Sequence, residues 1–263
     1  MKYEIAIPSY KRPKIIREKT LKTLIDIPVE NITIFVRNQD ELDDYIKENG
    51  IEYNYIITEA CGLGKIRNYM RDYYEDKELD LVLFIDDDID KINEWVDKKT
   101  LKPVENLIDT IQYIYEETKK RNLNYFGIPG YDNPFFMSDT ITSNLKLMIG
   151  GFNGIIEPHK ATKIHCSCDH GEDYEFTIKH FLSDGGICRF NKYCLKTKNY
   201  SKIGGMAEDM GGIKKRNEIA KDSLTQLETE YPDMCKVVQK KNGMWDIKLN
   251  YRYSRGKKIT TLK

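Results

Sequence analysis

The sequence predicts an α/β protein with a mostly parallel central sheet flanked by helices and a basic C-terminal appendage. Segments typical of strands and of helices alternate four times within about the first ninety residues, which is the pattern of βαβ units. The apolar run at residues 81–85 has the composition of a fully buried strand and ends directly in Asp86, Asp87 and Asp88. The charge is also divided: residues 1–188 carry 24 basic and 34 acidic side chains, and residues 189–263 carry 18 and 8.

Each element follows from the spacing of apolar residues between turn-forming residues. The predicted strands cover residues 3–8, 32–36, 53–57, 81–85 and 125–128. The predicted helices cover residues 14–25, 39–49, 64–74, 107–121, 172–181 and 217–231. Residues 237–253 alternate around Asn242-Gly243, a dipeptide that favours the tight turn of a β-hairpin.

The composition is that of a globular protein. The 263 residues are 40% hydrophobic, which is enough for a packed core. No run of about 18 apolar residues is present, so we expect no transmembrane helix. The first eight residues have the pattern of a strand and not of a signal peptide, so we expect a cytoplasmic protein (in the host cytoplasm if it is viral) with its six cysteines mostly reduced.

The three aspartates after residue 85 are the first candidate site. In an open α/β sheet, ligands bind at the carboxyl ends of the strands. Neighbouring carboxylates repel one another unless a positive group lies among them, and a hard divalent cation that bridges substrate phosphates meets this need. The alternative is a solvated acidic turn.

A second acidic pair, Glu172-Asp173, opens the predicted helix at residues 172–181 and follows Gly171. Carboxylates at a helix start interact favourably with the helix dipole, so ordinary helix capping is the alternative to a functional role. The order of the acidic triplet, a glycine-rich strand and this acidic pair favours the functional interpretation.

Five segments resemble, in this order, the motifs of GT-A glycosyltransferases close to the inverting family-2 type. Residues 5–13 (IAIPSYKRP) resemble the opening strand and nucleotide loop of that fold, and residues 64–68 (GKIRN) resemble its ARN helix start. Residues 86–88 resemble its DXD motif, residues 150–154 (GGFNG) its acceptor-side strand, and residues 172–173 its ED pair. The match covers roughly residues 3–185, and five weak motifs in sequence are together specific.

The resemblance implies a nucleotide-diphosphate sugar as donor, with UDP as the expected nucleotide, and Mn²⁺ or Mg²⁺ as the cofactor. It implies that Asp88 coordinates the metal and that Asp86, the second candidate for the metal site, faces the ribose or the water molecules of the metal. For Arg67, the alternative to a donor contact is a surface salt bridge on a helix. Donor contacts are expected from the opening loop, the ARN helix and the acidic triplet: Pro8, Ser9, Tyr10, Arg12, Arg67, Asp86 and Asp87.

Asp173 is the candidate catalytic base, with Glu172 as its neighbour or alternate. An acceptor hydroxyl becomes a good nucleophile when a base removes its proton as the new bond forms, and this role implies inversion at the anomeric carbon. The expected organisation is a catalytic domain over residues 1–188, with a donor half at about 1–100 and an acceptor half at about 101–188. Residues 189–263 are then an acceptor-binding extension.

A narrower resemblance is to the TET-associated glycosyltransferases, phage-type enzymes thought to place sugars on hydroxymethylated pyrimidines in DNA. It rests on the IPSYKR start and on residues 198–206 (KNYSKIGGM). It implies 5-hydroxymethylcytosine as the acceptor and DNA as the partner. Basic residues that follow phosphates and aromatic residues that stack on bases are the expected acceptor contacts: Lys240, Lys241, Trp245, Arg252 and Tyr253.

Several alternatives stay open from the sequence. The first is a different acceptor, namely a cell-surface glycan precursor or a protein. The second is that the chain is a non-catalytic nucleic-acid-binding module on a transferase fold. The basic hairpin is then an edge made soluble by its lysines. The segment at residues 165–170 (HCSCDH), with Cys188 and Cys194, has the ligand types of a structural zinc site, but its C-x-C spacing is tighter than usual.

Overall fold

The computed structural model describes residues 1–168, 170–197 and 213–253. Its strands are β1 (Tyr3–Pro8), β2 (Ile32–Val36), β3 (Asn54–Ile57), β4 (Leu81–Ile85), β5 (Ile89–Asp97), β6 (Thr100–Pro103), β7 (Tyr125–Gly127), β8 (Ile141–Thr142), β9 (Phe152–Ile156), β10 (Cys188–Phe190), β11 (Tyr193–Thr197), β12 (Cys235–Gln239) and β13 (Trp245–Leu249). Its helices are α1 (Pro13–Ile16), which continues as a π-helical turn (Arg17–Leu21), α2 (Gln39–Asn49), α3 (Leu63–Glu75), α4 (Leu107–Lys120), α5 (Glu172–Asp184) and α6 (Ile213–Glu230). None of the described helices is long and apolar enough to cross a membrane.

The central sheet has the strand order β3-β2-β1-β4-β9-β7-β10-β8. β1 pairs in parallel with β2 and β4, and β2 pairs in parallel with β3. β9 runs antiparallel to both β4 and β7, and β7 pairs in parallel with β10. Every residue of β2 and β4 is buried, as expected for strands that are covered on both faces. The predicted α/β class and mostly parallel sheet are confirmed.

The strand pairing brings the functional segments to one edge of this sheet. Ala6 of β1 lies opposite Phe84 of β4, so the residues that follow these two parallel strands emerge side by side. β9 arrives from the opposite direction with Phe152 opposite Ile85, so the glycines that precede it reach the same edge.

Helices α3 and α5 pack together on one face of the sheet. Met70 and Tyr74 of α3 and Phe176 of α5 are almost completely buried in one cluster with Val82 and Phe84 of β4. Burying each of these large side chains contributes about 1.5–3 kcal/mol. Because α3 follows the parallel strand β3, it starts at the carboxyl edge, where the candidate residues are expected.

A second, antiparallel sheet with the order β11-β5-β6 was not predicted from the sequence. β5 begins directly after the acidic triplet, and its charged residues (IDKINEWVD) hide the apolar alternation. β10 spans Cys188–Phe190, so the domain boundary predicted at residue 188 falls inside a strand of the central sheet. β11 then pairs with β5, which ties residues 193–197 to the segment after the aspartates.

The predicted C-terminal hairpin is present as β12 and β13, with Gln239 opposite Trp245. Its connection is longer than the two-residue turn that the Asn-Gly dipeptide suggested, and the backbone N–H of Lys240 donates to the carbonyl oxygen of Met244 at 2.8 Å. Gly243 has a φ of 80°, a conformation that glycine adopts without a steric cost. The hairpin packs against α6 and joins the core on the α3 and α5 side of the sheet.

Candidate active site

A cleft of about 480 Å³ opens at the carboxyl edge of the parallel strands. It is bounded by the loop after β1, the acidic triplet after β4, the glycines before β9 and the start of α5. All the residues predicted to contact the donor, hold the metal or act in catalysis line it: Pro8, Ser9, Tyr10, Arg12, Arg67, Asp86, Asp87, Asp88, Glu172 and Asp173. Segments that are far apart in the sequence therefore share one cavity.

Arg67 joins the two acidic elements across this cleft. Its Nη2 donates to Asp86 Oδ1 at 2.8 Å, and its Nε donates to Glu172 Oε1 at 3.2 Å. The arginine side chain is only 5% exposed. Burial lowers the pKa of Arg67, but the Asp86 and Glu172 carboxylates outweigh burial and raise that pKa overall. Arg67 is thus a permanent buried cation at the centre of the site, and not part of a surface salt bridge.

Asp87 anchors the loop that follows β1. Its Oδ2 accepts a hydrogen bond from Ser9 Oγ at 2.6 Å, and its Oδ1 accepts one from Arg12 Nη1 at 3.1 Å. The Tyr45 hydroxyl lies 2.6 Å from Ser9 Oγ and accepts from the backbone N–H of Arg12. Burial raises the pKa of Asp87 to about 6, although Arg12 and Ser9 oppose this shift. Asp87 therefore positions the loop, and Tyr45 of α2, which the sequence did not single out, completes the network.

Asp88 faces the cleft from the other side of the triplet. Its Oδ1 accepts from Thr197 Oγ1 at 3.2 Å, and its Oδ2 lies 3.6 Å from Arg12 Nη1. Thr197 is the last residue of β11, so the second sheet reaches the site. Burial and the nearby Asp86 carboxylate raise the pKa of Asp88.

Asp86 and Asp88 have the chemistry of divalent-cation ligands. Carboxylate oxygens are the ligands that Mg²⁺ and Mn²⁺ prefer. The repulsion that helps to raise the pKa of Asp88 is the kind of interaction that a cation between two carboxylates relieves. Within residues 1–168, 170–197 and 213–253, no three acidic, histidine or cysteine side chains converge on a metal site. Other ligands would therefore be diphosphate oxygens and water, which commonly complete magnesium sites.

The start of α5 presents Asp173 to the cleft. Gly171, which precedes the helix, has a φ of 82°, in the left-handed region that favours glycine. Glu172 is buried and turned to Arg67, whereas Asp173 is partly exposed. Burial and the adjacent Glu172 raise the pKa of Asp173 to about 7. A carboxylate with this pKa is suited to accept a proton near neutral pH.

The glycines before β9 allow this packing because they lack a Cβ atom. A Cβ atom on Gly150 would lie 2.8 Å from Arg67 Nη2, and one on Gly151 would lie 2.8 Å from Asp86 Oδ2. Both distances are shorter than real Cβ contacts, so a larger residue at either position would force the Arg67 or Asp86 side chain to shift.

No protein-family model and no curated protein matches the sequence. Solved structures match the fold. Glucosyl-3-phosphoglycerate synthase from Mycobacterium tuberculosis has 10% identity and a TM-score of 0.54, over 90% of this chain and 84% of that chain. The mannosyltransferase PcManGT from Pyrobaculum calidifontis, in complex with GDP-Man and Mn²⁺, has 13% identity and a TM-score of 0.50, over 88% of this chain and 64% of that chain. The chain has the GT-A fold.

The fold of TarS 1–349 from S. aureus is similar with a lower TM-score of 0.48, at 18% sequence identity. The match covers 73% of this chain and 60% of that chain. This chain therefore spans less than two thirds of both TarS 1–349 and the mannosyltransferase. Residues 198–206, on which the narrower resemblance partly rests, lie outside the described residues.

The structure does not bring the predicted acceptor residues to the cleft of this GT-A fold. Lys240 Nζ pairs with Asp246 at 2.5 Å, and the Tyr253 ring packs edge-on against Phe181. Trp245 is partly buried against the core. The five residues absent from the cleft lining are Lys240, Lys241, Trp245, Arg252 and Tyr253.

Several residues in the lining were not singled out from the sequence, among them Arg37, Tyr174 and Asp246. Asp246 of β13 enters the cleft and accepts a hydrogen bond from the Tyr174 hydroxyl at 2.5 Å. The guanidinium of Arg37 lies over the Tyr10 ring at 3.7 Å. Tyr174 follows the Glu172-Asp173 pair directly in the sequence, and this position could have indicated that it lines the cleft. Asp246 and Arg37 carried no signal, because their neighbours meet them only in the folded chain.

Residues 166–168 of the candidate zinc segment are fixed by hydrogen bonds. The buried Glu175 carboxylate accepts from the backbone N–H groups of Ser167 and Cys168, and Asn68 exchanges two hydrogen bonds with the backbone of Cys166. Burial raises the pKa of Cys166 to about 12, which disfavours the thiolate form that zinc binds. All six cysteines are free thiols, and the described residues, which omit Asp169, contain no zinc site.

Proposed function

We propose that the chain is a metal-dependent, inverting glycosyltransferase that moves a sugar from a nucleotide-diphosphate sugar to a hydroxyl group. The expected donor is a UDP-sugar. The observation that carries the proposal is the placement of Asp86 and Asp88 in one cleft with Asp173, on a GT-A fold, with Arg67 bound to both acidic elements.

The donor is expected to occupy the half of the cleft formed by the loop after β1 and the acidic triplet. Pro8, Ser9, Tyr10 and Arg12 would surround the base and ribose, and Asp87 would hold this loop through Ser9 and Arg12. Arg67 would add a fixed positive charge beside the diphosphate.

Asp88 and Asp86 would hold Mn²⁺ or Mg²⁺. When bound, the cation supplies a Lewis acid that neutralises the departing diphosphate. The M. tuberculosis synthase has been solved with Mn²⁺ and UDP, and the P. calidifontis enzyme with GDP-Man and Mn²⁺, which supports a metal and a nucleotide-sugar donor for a chain of the same fold.

Asp173 is proposed to act as the base. As the acceptor oxygen bonds to the anomeric carbon, the bond from that carbon to the phosphate oxygen breaks, and the acceptor proton passes to Asp173 Oδ. Attack from the face opposite the leaving diphosphate inverts the anomeric centre. A pKa of about 7 keeps a useful fraction of Asp173 ionised near neutral pH.

The experiment is donor turnover in Mn²⁺ with a panel of nucleotide sugars and hydroxyl acceptors. Asp173→Asn should reduce transfer by about 10²–10⁴-fold, the usual contribution of a general base, while nucleotide binding measured by calorimetry persists. Asp222→Asn, in the exposed part of α6 outside the cleft, is the matched control and should behave as wild type. Near-normal turnover by Asp173→Asn would remove Asp173 from this role.

A second candidate acceptor is 5-hydroxymethylcytosine in DNA. The observation that favours it is the exposure of Lys236, Lys241, Lys248 and Arg252 in and after the hairpin, because exposed cations bind phosphate backbones. Hydroxymethylated DNA therefore belongs in the panel, with mass spectrometry of the digested nucleosides as the readout. A glycan precursor or protein as acceptor would give the mass gain elsewhere, and donor turnover of any kind would exclude a purely nucleic-acid-binding role.

A further inference from the structure

The hairpin of β12 and β13 forms part of the cleft wall next to the proposed base. Among the described residues of these two strands, Asp246 is the one whose side chain lines the cleft. It lies beside Tyr174, the residue that follows Asp173 in α5, and the backbone N–H of Tyr174 donates to Asp173 Oδ1 at 2.9 Å. A ligand group bound at Asp246 therefore lies close to Asp173.

Asp246 is held in a defined orientation. The Tyr174 hydroxyl donates to its Oδ1, and Lys240 Nζ contacts its Oδ2, each at 2.5 Å. Each oxygen of an ionised carboxylate has about two acceptor positions, so a ligand hydroxyl can still donate to both oxygens. The Asp246 side chain is 21% exposed, which leaves this edge open to the cleft.

The wall that carries Asp246 is firmly docked. Ile247, the next residue in β13, is 6% exposed within the core, and the backbone N–H of Trp245 donates to Asn217 Oδ1 of α6 at 3.1 Å. Leu224 of α6 packs closely on Gly171: a Cβ atom on Gly171 would lie 2.6 Å from Leu224 Cδ2. The hairpin, α6 and the start of α5 thus form one packed unit that fixes Asp246 relative to Asp173.

The charge of the cleft restricts the kind of ligand that fits beside this wall. Among the described residues, seven acidic side chains and three arginines line the cleft: Asp86, Asp87, Asp88, Asp132, Glu172, Asp173 and Asp246, against Arg12, Arg37 and Arg67. Arg12 and Arg67 are already bound to carboxylates. The donor diphosphate would lie at the cation held by Asp86 and Asp88, whereas an anionic acceptor beside this wall would face Asp173 and Asp246 and be repelled. An uncharged acceptor with several hydroxyl donors would match these carboxylate oxygens.

We propose that Asp246, oriented by the Tyr174 hydroxyl, forms an acceptor subsite that binds adjacent hydroxyl groups of an uncharged polyol, such as an unphosphorylated sugar. Asp246 acts as a binding residue, and Tyr174 and Lys240 position it. The inference rests on the proposed glycosyl transfer, since it names the acceptor class of that same site. The other exposed lysines of the hairpin, Lys236, Lys241 and Lys248, lie outside this subsite.

The test measures binding directly, so it does not depend on turnover. The probes are methyl glycosides of glucose, mannose, galactose and N-acetylglucosamine, their 6-phosphates as anionic counterparts, and a hydroxymethylated DNA duplex. Binding to the full chain is followed by saturation-transfer NMR with Mg²⁺ and UDP present. Loss of a charge-assisted hydrogen bond in Asp246→Asn should weaken binding of the preferred glycoside by about tenfold or more. Tyr174→Phe should weaken it by a smaller factor.

Asp233→Asn is the matched control, because Asp233 is an exposed acid next to β12 that lies outside the cleft, and its glycoside binding should equal that of wild type. Thermal melting of each variant separates a folding defect from a binding defect. Lys240→Met removes the cation that contacts Asp246 Oδ2, so it tests the role of this carboxylate independently. The subsite is refuted if no glycoside binds wild type, if Asp246→Asn binds as well as wild type, or if the 6-phosphates or DNA bind in preference. Glycoside binding through Asp246 without donor turnover would instead overturn the proposed function alone.

Discussion

Arg67→Met removes the buried cation that joins the two acidic elements. Glu172, which is 5% exposed, is left without its partner. Removing one member of a buried ion pair destabilises a protein by about 3–5 kcal/mol, because the other charge stays desolvated. The Asp86 side chain is 37% exposed, so water stabilises its charge and its share of the loss is small. We therefore expect the free energy of unfolding to fall by about 3–5 kcal/mol at neutral pH.

This loss should depend on pH in a defined direction. Burial raises the pKa of Glu172 above the ordinary value of 4.5, and Arg67 opposes that shift. Without Arg67, the pKa of Glu172 in the folded state rises further, while that in the unfolded state does not. The folded variant then binds more protons than the unfolded one between these two pKa values, so its stability falls as the pH rises. The deficit relative to wild type should be smallest near pH 4 and grow towards neutral pH.

The assay is urea unfolding followed by the fluorescence of the two tryptophans, Trp95 in β5 and Trp245 in β13. Arg17→Met is the matched control, because Arg17 is 47% exposed and its ion pair with Glu48 should be worth about 1 kcal/mol or less. Adding Glu172→Gln to Arg67→Met should recover part of the loss by removing the unpaired charge. A loss below about 1 kcal/mol, or one that does not change with pH, would refute the argument.

Three further outcomes follow from the site. If Asp173 is the base, kcat/KM should rise with pH through about 7 and level off above it, since only the ionised carboxylate accepts the proton; a profile that is flat from pH 5 to 9 would contradict this. Excess EDTA should abolish turnover and Mn²⁺ should restore it, and Asp88→Asn should raise the Mn²⁺ concentration required for half-maximal activity; full activity in EDTA would exclude the metal. Gly150→Ala should reduce nucleotide binding and lower the melting temperature, because its Cβ would lie 2.8 Å from Arg67 Nη2, whereas unchanged binding and melting would mean that the arginine adapts.

The donor half of the cleft could be predicted because its parts follow local rules. Ser9 comes directly after one apolar run predicted to be a strand, and Asp87 is the second residue after another. Parallel strands place their carboxyl ends at one edge. This pairing brings Ser9 and Asp87 close together, and Ser9 Oγ donates a hydrogen bond to Asp87 Oδ2. To predict that these two strand ends meet, it is therefore enough to know the types of the elements and their order along the chain.

Contacts that depend on tertiary arrangement could not be predicted. Tyr45 reaches Ser9 from α2, and Thr197 reaches Asp88 because β11 pairs with β5, a strand whose charged residues hide its alternation. Secondary-structure propensities cannot predict either contact, because each depends on how two elements that are far apart in the sequence pack together. The boundary expected at residue 188 lies inside β10, whose pairing with β7 is likewise a tertiary contact.

Within residues 189–197 and 213–253, the basic character of the C-terminal segment is not a property of the surface that it turns to the cleft. In β13, Trp245, Ile247 and Leu249 alternate with Asp246 and Lys248, and the apolar set packs on the core. Asp246 projects into the cleft at one end of the strand, while Lys248 is exposed. The excess of positive charge in residues 189–263 is thus compatible with an acidic wall beside Asp173. A net charge predicts the partner of a segment only when the charged side chains also face that partner.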